Sequence, residues 1–140
     1  MKRALWACVG FGLTTGLAAP AQAPPSQVQV ARQFLLALTR EDWSAAYQWL
    51  APDVRARTTL SQFKTVAAPF RVRVRQYGPA ISLYKLGYRL RETETPQPFV
   101  AFSFKADTLQ RHPHFQLDVT FRDSTARQVL GFTLIPLAGN

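Results

Sequence analysis

Residues 115–121, Phe-Gln-Leu-Asp-Val-Thr-Phe, decide the fold, because apolar and polar side chains alternate along them without a break. Strict alternation places the apolar side chains on one face of a β-strand and the polar ones on the other. Turn-like segments separate this run from three others of the same period, which suits antiparallel neighbours. The sequence thus predicts about four strands, the other three being Tyr84–Leu90, Val100–Ala106 and Leu130–Leu134.

The segment that precedes the strands has a helical period instead. Ser26 with Gln29, and Thr59 with Gln62, have the spacing of a capping box, and Asp42 is a good N-cap residue. Apolar residues recur three and four positions apart after each of these caps: Ala31, Phe34, Leu35 and Leu38; Trp43, Ala46, Tyr47 and Leu50; Leu60, Phe63, Val66, Ala67 and Phe70. We therefore predict an α+β domain with three N-terminal helices packed on one face of an antiparallel sheet.

The first 23 residues have the parts of a secretory signal peptide. Lys2 and Arg3 form a basic start, residues 4–19 are mostly apolar and uncharged, and Ala21-Gln22-Ala23 is a small-x-small cleavage pattern. The apolar run is short for a membrane span and is interrupted by glycines, so we expect export and cleavage without stable membrane insertion. The predicted mature chain, residues 24–140, is a single domain in the periplasm or the extracellular space.

Composition narrows the chemistry of this predicted mature chain. Cys8 is the only cysteine, so cleavage leaves no thiol for a disulfide, a nucleophile or a metal site. Cleavage also removes two cations and lowers the net charge from +9 to about +7. No nucleic-acid-binding signature, phosphate-binding glycine loop or serine-hydrolase motif occurs in the sequence. We expect neither a nucleic-acid partner nor a cofactor.

The helical half and the last predicted strand resemble NTF2-like domains. The resemblance is carried by Gln33-Phe34-Leu35, Glu41-Asp42-Trp43, Ala46-Tyr47 and Gln62-Phe63, and by the closing segment 126–136. Arg127 or Gln128 stands where such families usually carry an aromatic residue. The resemblance implies a cone in which a curved sheet wraps around helices, with a pocket at the open end. Ketosteroid isomerases and polyketide cyclases share this fold with non-catalytic binding domains, so the fold alone does not decide the function.

Six side chains are candidates for binding a ligand. Three tyrosines lie on predicted apolar faces, and three arginines alternate with valines, so that an extended segment would align their guanidiniums to hold carboxylates or phosphates. A solvated strand edge is the alternative interpretation of the arginines. The candidates are Tyr47, Tyr84, Tyr88, Arg71, Arg73 and Arg75. No carboxylate of the helices or first strands shares a face with the tyrosines, so we assign no catalytic residue.

His112-Pro113-His114 is the one arrangement that resembles a metal site. Residues two apart on a strand point the same way, and Asp118 could add an oxygen ligand. The mature chain has no further histidine or cysteine to complete a coordination shell, which favours a polar hairpin turn. We therefore predict no metal.

These observations favour a non-catalytic exported domain that binds a small apolar or anionic molecule, or a protein partner. The alternative is a small cone-pocket enzyme that uses acid/base chemistry of the isomerase or cyclase kind. A buried carboxylate or histidine facing a tyrosine inside a pocket would favour the enzyme. A homodimer, and an envelope adhesin that acts through charge, remain open.

Overall fold

Five helices precede a four-stranded sheet in the computed structural model, which describes residues 16–90 and 95–137. The elements are α1 (Gln27–Thr39), α2 (Trp43–Gln48), α3 (Pro52–Arg57), α4 (Leu60–Val66), α5 (Ala68–Tyr77), β1 (Ile81–Arg89), β2 (Gln97–Phe104), β3 (Phe115–Thr120) and β4 (Gly131–Pro136). This confirms the α+β class and the four antiparallel strands. Residues 1–15 of the predicted signal peptide lie outside the described residues.

The two predicted capping boxes open α1 and α4. Ser26 Oγ accepts a hydrogen bond of 3.2 Å from the backbone N–H of Gln29, and the Gln29 side chain accepts one from the Ser26 N–H. Thr59 and Gln62 repeat the arrangement. Each box satisfies backbone donors that the first turn of a helix otherwise leaves unpaired.

The predicted number of three helices is wrong, because two prolines start helices that the apolar spacing did not reveal. Pro52 follows the end of α2 and is itself the first residue of α3. Pro69 lies in the first turn of α5, so the stripe from Leu60 to Phe70 divides into α4 and α5 at Ala67. Proline suits a first turn because its missing N–H would have no helical partner there.

The sheet has the order β1-β2-β3-β4, and one of its faces packs against the helices. Pairing places Leu83 of β1 and Leu117 of β3 beside Phe102 of β2, so these three side chains share a face. The guanidinium of Arg32 in α1 lies 5.3 Å from the centre of the Phe102 ring, which identifies this as the helix-facing side. Phe102 and Leu117 are buried in an apolar core that is built from α1, α4, α5, β2 and β3. Its other large members are Val30, Phe34, Leu35, Leu38, Phe63, Phe70, Phe104 and Val119.

The connection from β3 to β4 returns to the helices and is fixed there by its backbone. Val129 donates its N–H to the carbonyl of Trp49, and its own carbonyl accepts from Ala51, each at 2.8 Å. At the start of α1, Gln27 Nε2 donates to the carbonyls of Asp123 and Ala126 at 2.8 and 2.9 Å. The connection is therefore held at two places, the α2–α3 junction and the start of α1.

Candidate functional site

The helix-facing side of β1 is left largely uncovered by the described helices. Leu83, Leu86 and Tyr88 lie opposite Phe102, Val100 and Pro98, so they extend the core face of the sheet outward. Their exposed fractions are 45%, 58% and 63%, whereas Phe102 and Val100 are buried. We call Leu83, Leu86 and Tyr88 the apolar shelf. Adjacent exposed apolar side chains of this kind mark interaction sites more often than isolated ones do.

A cleft of about 590 Å³ opens at the C-terminal end of the apolar shelf. It is lined by the start of α1, by β1 and β2, and by the β3–β4 connection, through Ser26, Gln27, Val28, Leu86, Gly87, Tyr88, Pro98, Phe99, Val100, Ser124 and Arg127. Its walls are mainly apolar, and its polar groups come from the helix start and from the connection. Gly87 pairs with Phe99 on the opposite face of the sheet, where an added Cβ would lie 2.9 Å from the far end of the Phe99 ring.

Among the residues that the structure describes, Arg127 is the one cation that lines the cleft, and its own turn holds it in place. Its Nη1 donates to the carbonyls of Ser124, Thr125 and Ala126 at 3.2, 2.8 and 3.0 Å. Its Nε is buried and has no hydrogen-bond partner among the described residues. The guanidinium therefore occupies a fixed position and loses little conformational entropy when an anion binds.

The carboxylate nearest in sequence to Arg127 is that of Asp123, which is bonded within the same turn. Asp123 Oδ1 accepts from the Thr125 hydroxyl at 2.7 Å and from the N–H groups of Thr125 and Ala126 at 2.9 Å. These hydrogen bonds, the Thr125 hydroxyl first, hold the pKa of Asp123 below its ordinary value. The turn is thereby ordered around an ionised aspartate.

The three predicted tyrosines are not brought together. Tyr88 lines the cleft, as a binding role requires, but Tyr84 lies where the β1–β2 register shifts and is the bulge residue. Lys85 Nζ lies 5.2 Å from the centre of the Tyr84 ring. Tyr47 is remote from both, and its hydroxyl donates to the carbonyls of Arg55 and Thr58 at 3.0 and 2.6 Å. Tyr47 therefore fastens α2 to α3.

The predicted row of three arginines is wrong, because residues 71–75 are helical within α5 and not extended. A helix turns about 100° per residue, so residues two apart point in nearly opposite directions. Arg71 pairs with Glu41 at 3.0 Å, and the Arg73 guanidinium lies 4.3 Å from the centre of the Phe115 ring. Arg75 is exposed. Arg71 and Arg75, four residues apart, therefore lie on one face of α5 and line one shallow depression, whereas Arg73 points away from them.

His112 and His114 line a small surface depression after the 3₁₀ turn Asp107–Leu109. His114 Nδ1 lies 2.7 Å from Oδ1 of the fully buried Asp107, whose Oδ2 accepts from the N–H groups of His114 and Phe115 at 2.7 and 3.0 Å. Asp107 thereby fixes the start of β3. Among the described residues, no three histidine, cysteine or acidic side chains are grouped as a metal site requires.

Asp118 is buried on the sheet face that points away from the helices. Its carboxylate accepts hydrogen bonds from the side chains of Arg89 and Gln116, and it lies beside Ala101 in the β2–β3 register. Neither Asp118 nor Asp107 lines the cleft. The two fully buried carboxylates of the described chain are therefore engaged in holding strands rather than in facing the cleft tyrosine.

Leu86 and Arg127 line the cleft but are not among the six residues predicted to bind a ligand. Leu86 belongs to an alternating run that is typical of any half-buried strand. Alternation does not distinguish an edge strand from a central one. The one signal for Arg127 was its place in the closing segment, where NTF2-like families usually carry an aromatic residue.

Comparison of the chain with protein-family models, with curated proteins and with solved structures gave no significant match. Within residues 16–90 and 95–137, no helix combines the length and apolar character needed to cross a membrane.

Proposed function

We propose that the protein is an exported, non-catalytic binding domain whose cleft holds a small apolar anion. The observation that carries this proposal is the cleft of about 590 Å³ with apolar walls and Arg127 among its lining residues. Small-molecule sites typically measure roughly 300–1,000 Å³ and combine apolar walls with a few fixed polar groups. Leu86, Tyr88 and Val100 supply such walls.

Two features favour an anionic ligand. Nη2 of Arg127 can donate a charge-assisted hydrogen bond to a carboxylate or a phosphate, since Nη1 is bonded to backbone carbonyls and Nε is buried. The start of α1 also lines the cleft through Ser26, Gln27 and Val28, and the N-terminus of a helix carries a partial positive charge. An apolar chain against Tyr88 with its acidic end at Arg127 would use both parts of the site.

Binding without catalysis is supported by the surroundings of the acid/base candidates. The buried carboxylates of Asp107 and Asp118 lie outside the cleft and already accept hydrogen bonds from neighbouring strands. The Tyr47 hydroxyl is occupied by two backbone carbonyls. General acid/base chemistry needs such a group within reach of the substrate, and none of these three lines the cleft.

The family and the location belong to the same proposal. Helices that precede an antiparallel sheet and cover one of its faces are consistent with an NTF2-like cone. The basic start, apolar run and Ala21-Gln22-Ala23 support export with cleavage after residue 23, to the periplasm or the extracellular space.

Two fluorescent probes test the cleft. Anilinonaphthalene sulfonate is an apolar anion, and N-phenylnaphthylamine is an uncharged probe of similar size. We expect Arg127→Gln to weaken binding of the sulfonate about tenfold, which corresponds to one charge-assisted contact. Binding of the uncharged probe should change less than about twofold. Tyr88→Ala should weaken binding of both probes.

Arg75→Gln is the matched control, because it removes the same charge from an exposed position on α5 that does not line the cleft. Equal losses of sulfonate binding in Arg75→Gln and Arg127→Gln would contradict the proposal, since the probe would then respond to overall charge. Native mass spectrometry of the protein purified from its own host would reveal a retained natural ligand by its mass.

A further inference from the structure

The outer edge of β1 is free of any partner strand within the described residues. β1 is the first strand in the order β1-β2-β3-β4 and pairs only with β2. An edge strand presents unpaired N–H and C=O groups that can hydrogen-bond to another extended chain. The register with β2 is interrupted between Leu83 and Lys85 and is regular from Lys85 to Arg89. The segment Lys85–Arg89 therefore offers about the length of an ordinary strand.

The side chains of Lys85–Arg89 divide between the two faces of the sheet. Leu86 and Tyr88 lie on the helix-facing side and are more than half exposed. Lys85, Gly87 and Arg89 alternate with them and therefore point to the other side. Lys85 is exposed, whereas Arg89 is bound to the buried carboxylate of Asp118. A strand added here would meet apolar neighbours on one face and a lysine on the other.

Charge argues against a second copy of this chain as the added strand. Full antiparallel overlap of Lys85–Arg89 with itself would place Lys85 opposite Arg89 of the second copy, which is already paired with Asp118 and offers Lys85 no opposite charge. The predicted mature chain carries a net charge of about +7, which adds long-range repulsion between copies. A segment with Asp or Glu opposite Lys85 would instead be attracted.

We propose that the outer edge of β1, Lys85–Arg89, binds an extended acidic segment of another protein as a fifth strand of the sheet. Main-chain hydrogen bonds provide affinity in this mode, and alternate side chains provide specificity. The acidic residues of the segment face Lys85, and its apolar residues lie on Leu86 and Tyr88. This inference does not depend on an anion in the cleft, because it rests on the strand edge and on Lys85.

Two labelled heptapeptides of alternating sequence test the proposal, one of valine and glutamate and one of valine and lysine. We expect the glutamate peptide to bind at least tenfold more tightly, measured by fluorescence anisotropy. Lys85→Glu should reverse this preference, whereas Lys64→Glu should leave it unchanged, because Lys64 is exposed on α4 and distant in sequence from the edge. Binding should slow hydrogen exchange at amides of Lys85–Arg89.

Three results would overturn the proposal. The first is equal affinity for the two peptides, and the second is binding of the glutamate peptide without slower exchange in β1. The third is a concentration-dependent dimer in which the same β1 amides are protected, which would identify a second copy as the occupant. Arg127→Gln should not alter peptide affinity, and Lys85→Glu should not alter sulfonate binding, so failure of one proposal is distinguishable from failure of the other.

Discussion

Asp107→Ala should destabilise the protein more than any other single change in the β2–β3 connection. The Asp107 side chain is fully buried, and its Oδ2 accepts two backbone hydrogen bonds, from His114 at 2.7 Å and from Phe115 at 3.0 Å. A hydrogen bond to a charged group contributes about 1.5–3 kcal/mol. His114 is about half exposed, so water can reach part of the site and the lower value applies. The two bonds then amount to about 3 kcal/mol.

The Asp107–His114 side-chain contact adds less than about 1 kcal/mol, because the imidazole is exposed to solvent. The total loss of about 3–4 kcal/mol corresponds to a fall in melting temperature of roughly 12–16 °C for a domain of this size. Urea and thermal unfolding followed by circular dichroism would measure it. Asp107→Asn should cost only about 1–2 kcal/mol, because one oxygen remains to accept from both amides.

His114→Ala is the control, since it removes the imidazole and leaves both backbone donors bonded to Asp107. We expect it to cost less than about 1 kcal/mol. If Asp107→Ala costs no more than His114→Ala, the carboxylate does not anchor the start of β3. The contact between Asp107 and His114 would then contribute to stability only as a surface interaction.

Three further changes test other contacts. Gly87→Ala should lower the free energy of unfolding by about 1 kcal/mol, because the new methyl group meets the Phe99 ring. In a Phe99→Ala background this loss should vanish, and a loss that persists there would contradict the steric explanation. Tyr47→Phe should lower the free energy of unfolding by about 1 kcal/mol, because the hydrogen bonds of the hydroxyl to Arg55 and Thr58 are lost. Binding of the sulfonate should not change, and a change would show that α2 influences the cleft. Asp123 has a lowered pKa in the folded state, so its stabilisation is present above the ordinary aspartate pKa and is lost as pH falls through the lowered value. Asp123→Asn should therefore flatten the acid side of a plot of urea midpoint against pH, and an unchanged slope would show that the turn does not depend on the ionised carboxylate.

Features that depend on neighbours in the chain were predictable from the sequence. Both capping boxes formed at the expected residues, because the side chain of the N-cap and that of the third helical residue each bond to the backbone of the other. The four strands appeared because a period of two is set by the pleat of a single strand. Neither feature needs information about distant parts of the chain.

The arginine-valine segment shows where a local pattern misleads. Arg71 to Arg75 alternate as a strand would, but Phe70, Val74 and Tyr77 have helical spacing and pack on the core from α5. Val72 falls outside that stripe and is exposed. The burial of Phe70, Val74 and Tyr77 outweighs the weak strand preference of two valines, and alternation within five residues could not reveal it.

The site was harder to predict than the fold because it depends on strand order and on which strands the helices cover. Leu86 of β1 and Phe102 of β2 both belong to alternating apolar runs, yet Leu86 is 58% exposed and Phe102 is buried. The difference arises because β1 is an edge strand that the helices leave largely uncovered. The sequence of β1 alone does not indicate its position in the sheet. Arg127 reaches the cleft only because the β3–β4 connection folds back to α1.

Substitutions in the apolar shelf can distinguish a binding surface from a part of the core. Burying a whole leucine side chain contributes about 1.5–3 kcal/mol, and Leu86 keeps more than half of its surface in water, so Leu86→Ser should cost at most about 1 kcal/mol. Leu117→Ala, at a buried position on the same sheet face, should cost about 2–5 kcal/mol. Binding of the uncharged probe should fall in Leu86→Ser and be retained in Leu117→Ala under conditions where that variant remains folded. If Leu86→Ser destabilises the protein as much as Leu117→Ala, the shelf is part of the core and its exposure does not indicate a ligand.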